Sequence, residues 1–505
     1  MNTETLCIKS ITDAADLTAQ QNIDADIILP DYYDTIGRIL KSEITPVIEA
    51  VTVSGDKISI AGIAKFSMIF LGEDNKMYSY ENEYKYTKVF QSQFAENCLT
   101  QDAKQTVFSV NCRAIAPKRI ELRAVIQIKL KIFSQEEKSF LSSIDDSLIN
   151  VKNETIAYIS PVNTVSKCFS LSGSFPMSDF NDKIDIVIRK NSRVKITEIK
   201  TIHNKAYIKG LAESEISYYS DNTGNISSTA LSIPISEIID IFGAEDNDEC
   251  EVFVKDIYTE VIIRNDSSAS QALELRLDIN MLASVSRNNN GNIITDLYSV
   301  SNEICKTTET AEVITSRKKI TKTESIYFET DIYDESNYTI IDSWITDVKI
   351  STEKHSDKTD ILATAIFNAV IRNENGNFSM ISREHTFEGV LISESCAYVV
   401  KNLNTRVLSD SALQISGGKI RFSADISFEC DICYIRKVTG FTDIKIDENN
   451  RTDRASSLSV YFAKQNEEIW TIAKENRTSV EKIKRINNLS GDFISEDIML
   501  LLPSF

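Results

Sequence analysis

The sequence predicts a mainly β protein: three tandem β-sandwich-like repeats followed by a small βααβ module. Three observations carry this. Long segments alternate apolar and polar residues with period two, which places one face of a strand in a core. The same alternating segments recur in register along the chain. Near the C-terminus the spacing changes from period two to helical.

The first repeat is read over 17–150, the second over 151–310 and the third over 311–446. In the first, Ile58, Ile60, Gly62, Ala64, Phe66, Met68 and Phe70 lie on one face of a strand. Ala206, Ile208, Gly210, Ala212, Ser214, Ile216 and Tyr218 match those positions without a gap, and upstream Ile36, Ile39 and Leu40 match Ile184, Val187 and Ile188. A weaker third copy shows Ile361, Ala363, Ala365, Phe367, Ala369 and Ile371. The later halves repeat too: the segment from Cys250 to Ile262 aligns with that from Cys396 to Leu408. Each repeat then closes with a long alternating strand, Ile120 to Ile132, Leu273 to Met281 and Ile420 to Tyr434. Turn residues separate the strands at Ser54-Gly55-Asp56, Asn222-Thr223-Gly224-Asn225, Asn375-Gly376-Asn377 and Ser416-Gly417-Gly418-Lys419. A one-faced strand needs a second sheet to cover it, and two facing sheets supply that. Residues 447–457 are rich in Asn, Arg, Asp and Ser and read as a linker to a module over 458–505.

Composition narrows the function. The 505 residues are 42% hydrophobic and 26% charged, which fits folded domains and excludes a wholly disordered chain. A net charge of −19 disfavours general binding of nucleic acid or anionic lipid. The N-terminus has neither the basic nor the apolar region of a secretory signal, and no stretch approaches the ~18–20 apolar residues of a membrane span. Nine cysteines, odd in number and scattered, fit a reducing cytosol.

No catalytic, cofactor or metal constellation is expected. Gly418-Lys419 precedes Ile420 and lacks the glycine-rich cradle of a phosphate loop. His203, His355 and His385 are far apart in sequence and near no cysteine pair. In the one CxxC, Cys430 should face a core and Cys433 should face away, since residues three apart on a strand point to opposite sides. The acidic runs Glu245 to Glu251 and Asp331 to Glu335 lack the donor spacing of a calcium loop.

In the C-terminal module Leu458-Ser459-Val460-Tyr461-Phe462 alternates as a strand. Ile469, Trp470, Ile472 and Ala473 follow helical spacing. Thr478-Ser479-Val480-Glu481 has the form of a capping box before a second helix, and Met499-Leu500-Leu501-Leu502 reads as the closing strand. Ile469-Trp470-Thr471-Ile472-Ala473, Asn487-Asn488-Leu489 and Leu500-Leu501-Leu502-Pro503 resemble the signature segments of the LysM family. That resemblance implies a groove for N-acetylglucosamine chains between two loops. Where the family carries Gly-Asp-Thr the first loop here has Asn466, Glu467 and Glu468, and where it carries Gly-Gln the second has Glu496 and Asp497. Glycine lets a sugar approach the backbone, so Asn466, Glu467, Glu468, Asn487, Leu489, Ile494 and Glu496 outline a degenerate groove that either no longer holds glycan or holds it weakly.

Leu29-Pro30-Asp31-Tyr32-Tyr33-Asp34-Thr35-Ile36-Gly37-Arg38-Ile39-Leu40 resembles the opening of a clostridial repeat family. Such repeats with one terminal LysM module are similar to the SipL family of spore-coat morphogenetic proteins. The resemblance implies a non-enzymatic scaffold in the mother-cell cytoplasm at the forespore surface, its LysM module binding SpoIVA, the coat ATPase. Further coat proteins and self-association are compatible with it. The alternative is a peptidoglycan-binding LysM protein of the cell wall; a wall hydrolase would need catalytic residues that the sequence does not display. With glycan loops altered, a docking patch of Leu458, Val460, Ile469 and Trp470 is expected, with Trp470 either a contact residue or a filler of the module core.

Overall fold

The structure, a computed structural model, describes residues 2–74, 76–96, 100–176, 180, 182–220, 222–265, 271–332, 337–415, 418–451 and 458–503. The chain is mainly β, with two short helices near the C-terminus. The turn at 416–419 and the acidic run at 331–335 lie partly outside the described residues, as do 452–457 of the expected linker.

The first unit opens with β1 (Asn2–Ile28) and continues through the meander β2 (Ile36–Ser54), β3 (Lys57–Gly72) and β4 (Met77–Gln91). It closes with β5 (Thr100–Ala116) and β6 (Arg119–Asp145). The meander is one sheet, and the other has the order β1-β6-β5. The second unit repeats this plan with β7 (Ile149–Pro176), β8 (Ile186–Ile202), β9 (Lys205–Ser220), β10 (Asn225–Asp240), β11 (Glu249–Asn265) and β12 (Gln271–Ser299). The third repeats it with β13 (Asn302–Asp331), β14 (Tyr338–Lys354), β15 (Lys358–Asn373), β16 (Phe378–Ser393), β17 (Tyr398–Ile415) and β18 (Lys419–Arg451). The equivalent sheet orders are β11-β12-β7 and β13-β18-β17, joined by the single pair Ile314 and Ile159.

Each unit is a sandwich because alternation leaves each sheet one apolar face. Ile58, Ile60, Phe66 and Phe70 of β3 pack on Ile120, Leu122, Ile126 and Ile128 of β6. Leu273, Leu275 and Leu277 of β12 meet Ala212, Ile216 and Tyr218 of β9, and Phe422, Ile426 and Phe428 of β18 meet Ala363, Ala365 and Phe367 of β15. Gly55, Gly224 and Gly376 stand in turns with positive φ, where a side chain would be strained.

Six strands outrun their sandwiches. The extra lengths of β1, β6, β7, β12, β13 and β18 form a stalk with its own core of Ile8, Phe140, Ile156, Tyr158, Ile293, Ala311, Val313 and Val438. A second layer adds Leu141, Ile149, Ile294, Leu297, Phe441 and Ile444. The turns that carry the chain between units, Asp146–Leu148 and Val300–Ser301, lie at the stalk tip. At the other junction the three meanders share a hub of Ile69, Met77, Ile186, Ile188, Trp344, Val370 and Phe378. There Lys41, Arg189 and Asp342 occupy one equivalent position, each opposite the same place on its central strand: Ile69, Ser217 and Val370. Lys41 donates to the Ile188 carbonyl at 3.2 Å, Arg189 pairs with Asp342 at 3.4 Å, and Arg38 donates to the Ser379 hydroxyl at 3.2 Å. Three dissimilar ties thus close the ring of units.

Several details depart from the sequence reading. β1 begins at Asn2, well before residue 17, because its first half pairs with the end of β6 in the stalk. β18 continues through Asp447 to Arg451, opposite Glu303 and Asn302, so the start of the expected linker is strand. Cys430 and Cys433 do take opposite faces, but both are buried. The far side of β18 is covered at the seam with the second unit, where Arg317 of β13 meets Glu251 of β11.

Candidate functional site

The C-terminal module is β19 (Leu458–Ala463), α1 (Ile469–Glu475), α2 (Val480–Asn487) and β20 (Ile498–Pro503), with β19 and β20 antiparallel. Its core is Ala463, Ile469, Ile472, Ala473, Ile483, Ile494, Leu500 and Leu502. The expected capping box does not form. Thr478 is fully buried and gives its hydroxyl to the Pro503 carbonyl at 2.6 Å, while the N-cap of α2 is Ser479, without a side-chain cap bond.

The module is seated on the stalk tip. Its core runs on into Tyr298, Val300 and Leu148 of the body. Trp470 crosses Tyr298 edge-on, with ring centroids 5.0 Å apart, and its indole N–H donates to Asp296 Oδ2 at 2.8 Å. Lys474 Nζ reaches the same carboxylate at 2.7 and 2.8 Å. Burial pulls the Asp296 carboxyl up, but the Lys474 ammonium and the Trp470 indole outweigh it and hold it below its ordinary value. The Tyr298 hydroxyl donates to the Thr478 carbonyl at 2.6 Å, and Lys152 pairs with Glu468 at 2.6 Å.

The expected docking residues therefore separate. Ile469 is 1% exposed and belongs to the core; the apolar spacing that marked it is that of a helix face turned inward. Trp470 is half-buried and spent on the body. Leu458 and Val460 are 49% and 53% exposed, and the pairing places Phe462, at 75%, and Met499, at 55%, on the same outer face. Alternation in β19 signals Phe462 as readily as Val460. Asp296 and Tyr298 carry no local signal at all.

The loops that outline the groove are bonded to each other. Asn466, with φ of 66°, donates its N–H to the Ile494 carbonyl at 2.8 Å, and Ile494 donates to the Glu467 carbonyl at 2.9 Å. Asparagine tolerates this left-handed backbone, which explains its standing in for glycine. Gln465 N–H bonds Asp497 at 2.8 Å, and Ile469 N–H bonds the Asp492 carbonyl at 2.9 Å. The Glu467 carboxylate accepts from the Tyr461 hydroxyl at 2.6 Å and the Lys464 N–H at 2.9 Å. Asn487 ties α2 to β20, Leu489 lies half-buried against the core, Ile494 is buried, and Glu496 is exposed.

Elsewhere, His385 stacks on Phe328 at 4.4 Å, His355 lies 3.2 Å from Asp360, and His203 contacts Asn204. These three stand in different places and do not converge.

Comparison with known proteins gives two matches. Residues 183–262 match the family described as SipL, SPOCS domain, and residues 463–503 match the LysM domain. The first covers the meander and β11 of the second unit. No curated protein and no solved structure matches the chain. The chain thus carries, within its second β unit, a region similar to the SipL SPOCS domain and, as its stalk-mounted βααβ module, a region similar to the LysM domain.

Proposed function

We propose that the protein is a non-enzymatic morphogenetic scaffold of the spore envelope, and that its LysM module docks the SpoIVA-type coat ATPase at the forespore surface. The supporting observation is the division of the module into three surfaces. The loops that a glycan would need are bonded to each other and to Lys152. The Trp470 side is taken up by the stalk tip. The outer sheet face, Leu458, Val460, Phe462 and Met499, stays apolar and exposed at the end of the molecule. Apolar side chains of this kind, clustered on a rigid sheet, favour a protein partner over a sugar.

Co-purification of the full chain with the ATPase tests this. Phe462→Glu, a surface change outside the core, should lose at least tenfold in retained ATPase with an unchanged circular dichroism spectrum. Equal retention by the variant overturns the reading. A second reading, peptidoglycan binding, is favoured by the LysM match itself. It requires retention on N-acetylglucosamine oligomers, abolished by changes at Asn466 or Glu496 and indifferent to Phe462→Glu.

A further inference from the structure

The two edges of the LysM sheet are treated differently. On β20 the outward edge is occupied at Leu501 and Pro503 by side chains of the module itself. Leu501 donates its N–H to Asn487 Oδ1 at 2.8 Å and accepts from Asn487 Nδ2 at 2.8 Å, and the Pro503 carbonyl accepts from Thr478. The carboxamide of Asn487 stands where a neighbouring strand would.

Those bonds also define the ladder. Since the backbone of Leu501 points away from β19, Leu501 and Val460 are a non-hydrogen-bonded pair. Pairs alternate along an antiparallel ladder, so Leu458 opposite Pro503 and Phe462 opposite Met499 are of the same kind. Leu458, Val460 and Phe462 therefore turn their N–H and C=O groups outward from the free edge of β19, and among the described residues nothing bonds them. The same three residues carry the exposed apolar side chains.

Unguarded edges are rare because they invite pairing. The edge strands of the other sheets, β1, β2, β4, β5, β8, β10, β11, β14, β16 and β17, all carry charged residues, and β2 and β10 carry Pro46 and Pro234 as well. β19 reads Leu-Ser-Val-Tyr-Phe-Ala, with no charge and no proline.

We infer that β19 is a strand-addition edge: the partner of the LysM module contributes an extended segment that hydrogen-bonds to Leu458, Val460 and Phe462. Its alternate apolar side chains lie beside theirs and extend the outer face of the sheet. Main-chain bonds supply affinity in this mode and alternate side chains supply specificity. The inference rests on the docking function proposed above and names the form its partner takes.

The test uses the full chain and the SpoIVA-type ATPase. Amide hydrogen exchange is followed with and without ATPase, and Val460→Pro is compared with Val460→Thr. Proline is tolerated on an edge strand where its missing N–H faced solvent, so Val460→Pro leaves the β19–β20 ladder intact while removing the central donor of the edge. The expected result is slowed exchange at Val460 and Phe462 on binding, at least tenfold weaker retention of ATPase by Val460→Pro, and near wild-type retention by Val460→Thr. Binding without slowed exchange at these amides overturns the edge and leaves the docking function standing. Slowing that depends on the concentration of this chain alone assigns the edge to a second copy and also overturns it. If wild type retains no ATPase, the docking function falls and the inference falls with it. Because the exchange measurement is made on wild type, the result does not hang on the folding of a variant.

Discussion

The six long strands live in two environments. Toward the hub, each is half of a sandwich whose core lies within one unit, as where Phe422 and Phe428 meet Phe367. Toward the tip, the same strands bury side chains against the other units: Phe140 of the first lies with Ile156 and Ile293 of the second and Val313 and Val438 of the third. A sandwich is thus a property of one repeat and the stalk a property of three. The difference teaches that the repeats are not beads on a string, because each leaves half of its longest strands uncovered until the others are in place.

The sharpest way to break this comparison is to hollow each region in turn. Phe422→Ala should cost about 3–5 kcal/mol, read as a loss of melting temperature, because Phe422 is 1% exposed in a packed core. Phe140→Ala should cost the same about 3–5 kcal/mol if the stalk is a core of equal standing. A loss below 1 kcal/mol there would mean that the tip ends of the strands are only loosely gathered.

A smaller change tests how close the stalk strands lie. A Cβ on Gly440 would stand 2.8 Å from Phe140 Cδ1. Gly440→Ala should therefore destabilise by about 1–3 kcal/mol through overpacking. On an open strand the same change would stabilise, so the sign decides.

The seat of the LysM module gives a third contrast. Asp296→Asn removes the charge that gathers Trp470 and Lys474 and should raise the accessibility of Trp470 to a fluorescence quencher, at about 1–3 kcal/mol of joint stability. Because Asp296 is held below its ordinary value, its contribution is full above the unfolded carboxyl pKa of about 4 and is lost as pH falls through the lowered folded value. Wild type and Asp296→Asn should therefore differ at neutral pH and converge in strong acid. The smallest effect is expected from Arg436→Ala, which breaks a surface pair with Glu154 between two units of the stalk and should change stability by under about 1 kcal/mol.

What the sequence discloses follows the range of the interactions. The strand plan is legible because each apolar alternation in β3, β9 and β15 is answered within its own unit. The βααβ order is legible because helical spacing at Ile469, Ile472 and Ala473 is a local pattern. The joint is not, since Asp296 and Trp470 are 174 residues apart and neither is marked by its neighbours. The same limit hides the burial of Cys433, which depends on a second unit lying across β18. Thr478 shows the converse error: its spacing to Glu481 mimics a cap, but a buried hydroxyl goes to the nearest unsatisfied carbonyl, that of Pro503.

Lys41, Arg189 and Asp342 share one position in three diverged copies. Three separate identical chains would bring three like groups to that junction, three cations or three carboxylates, and their mutual repulsion would favour falling apart. Covalent fusion lets the copies differ, so an acid can answer a base across one seam while a main-chain carbonyl serves another. Such an arrangement assembles in one cyclic order only, and its strength does not depend on how much protein the cell has made.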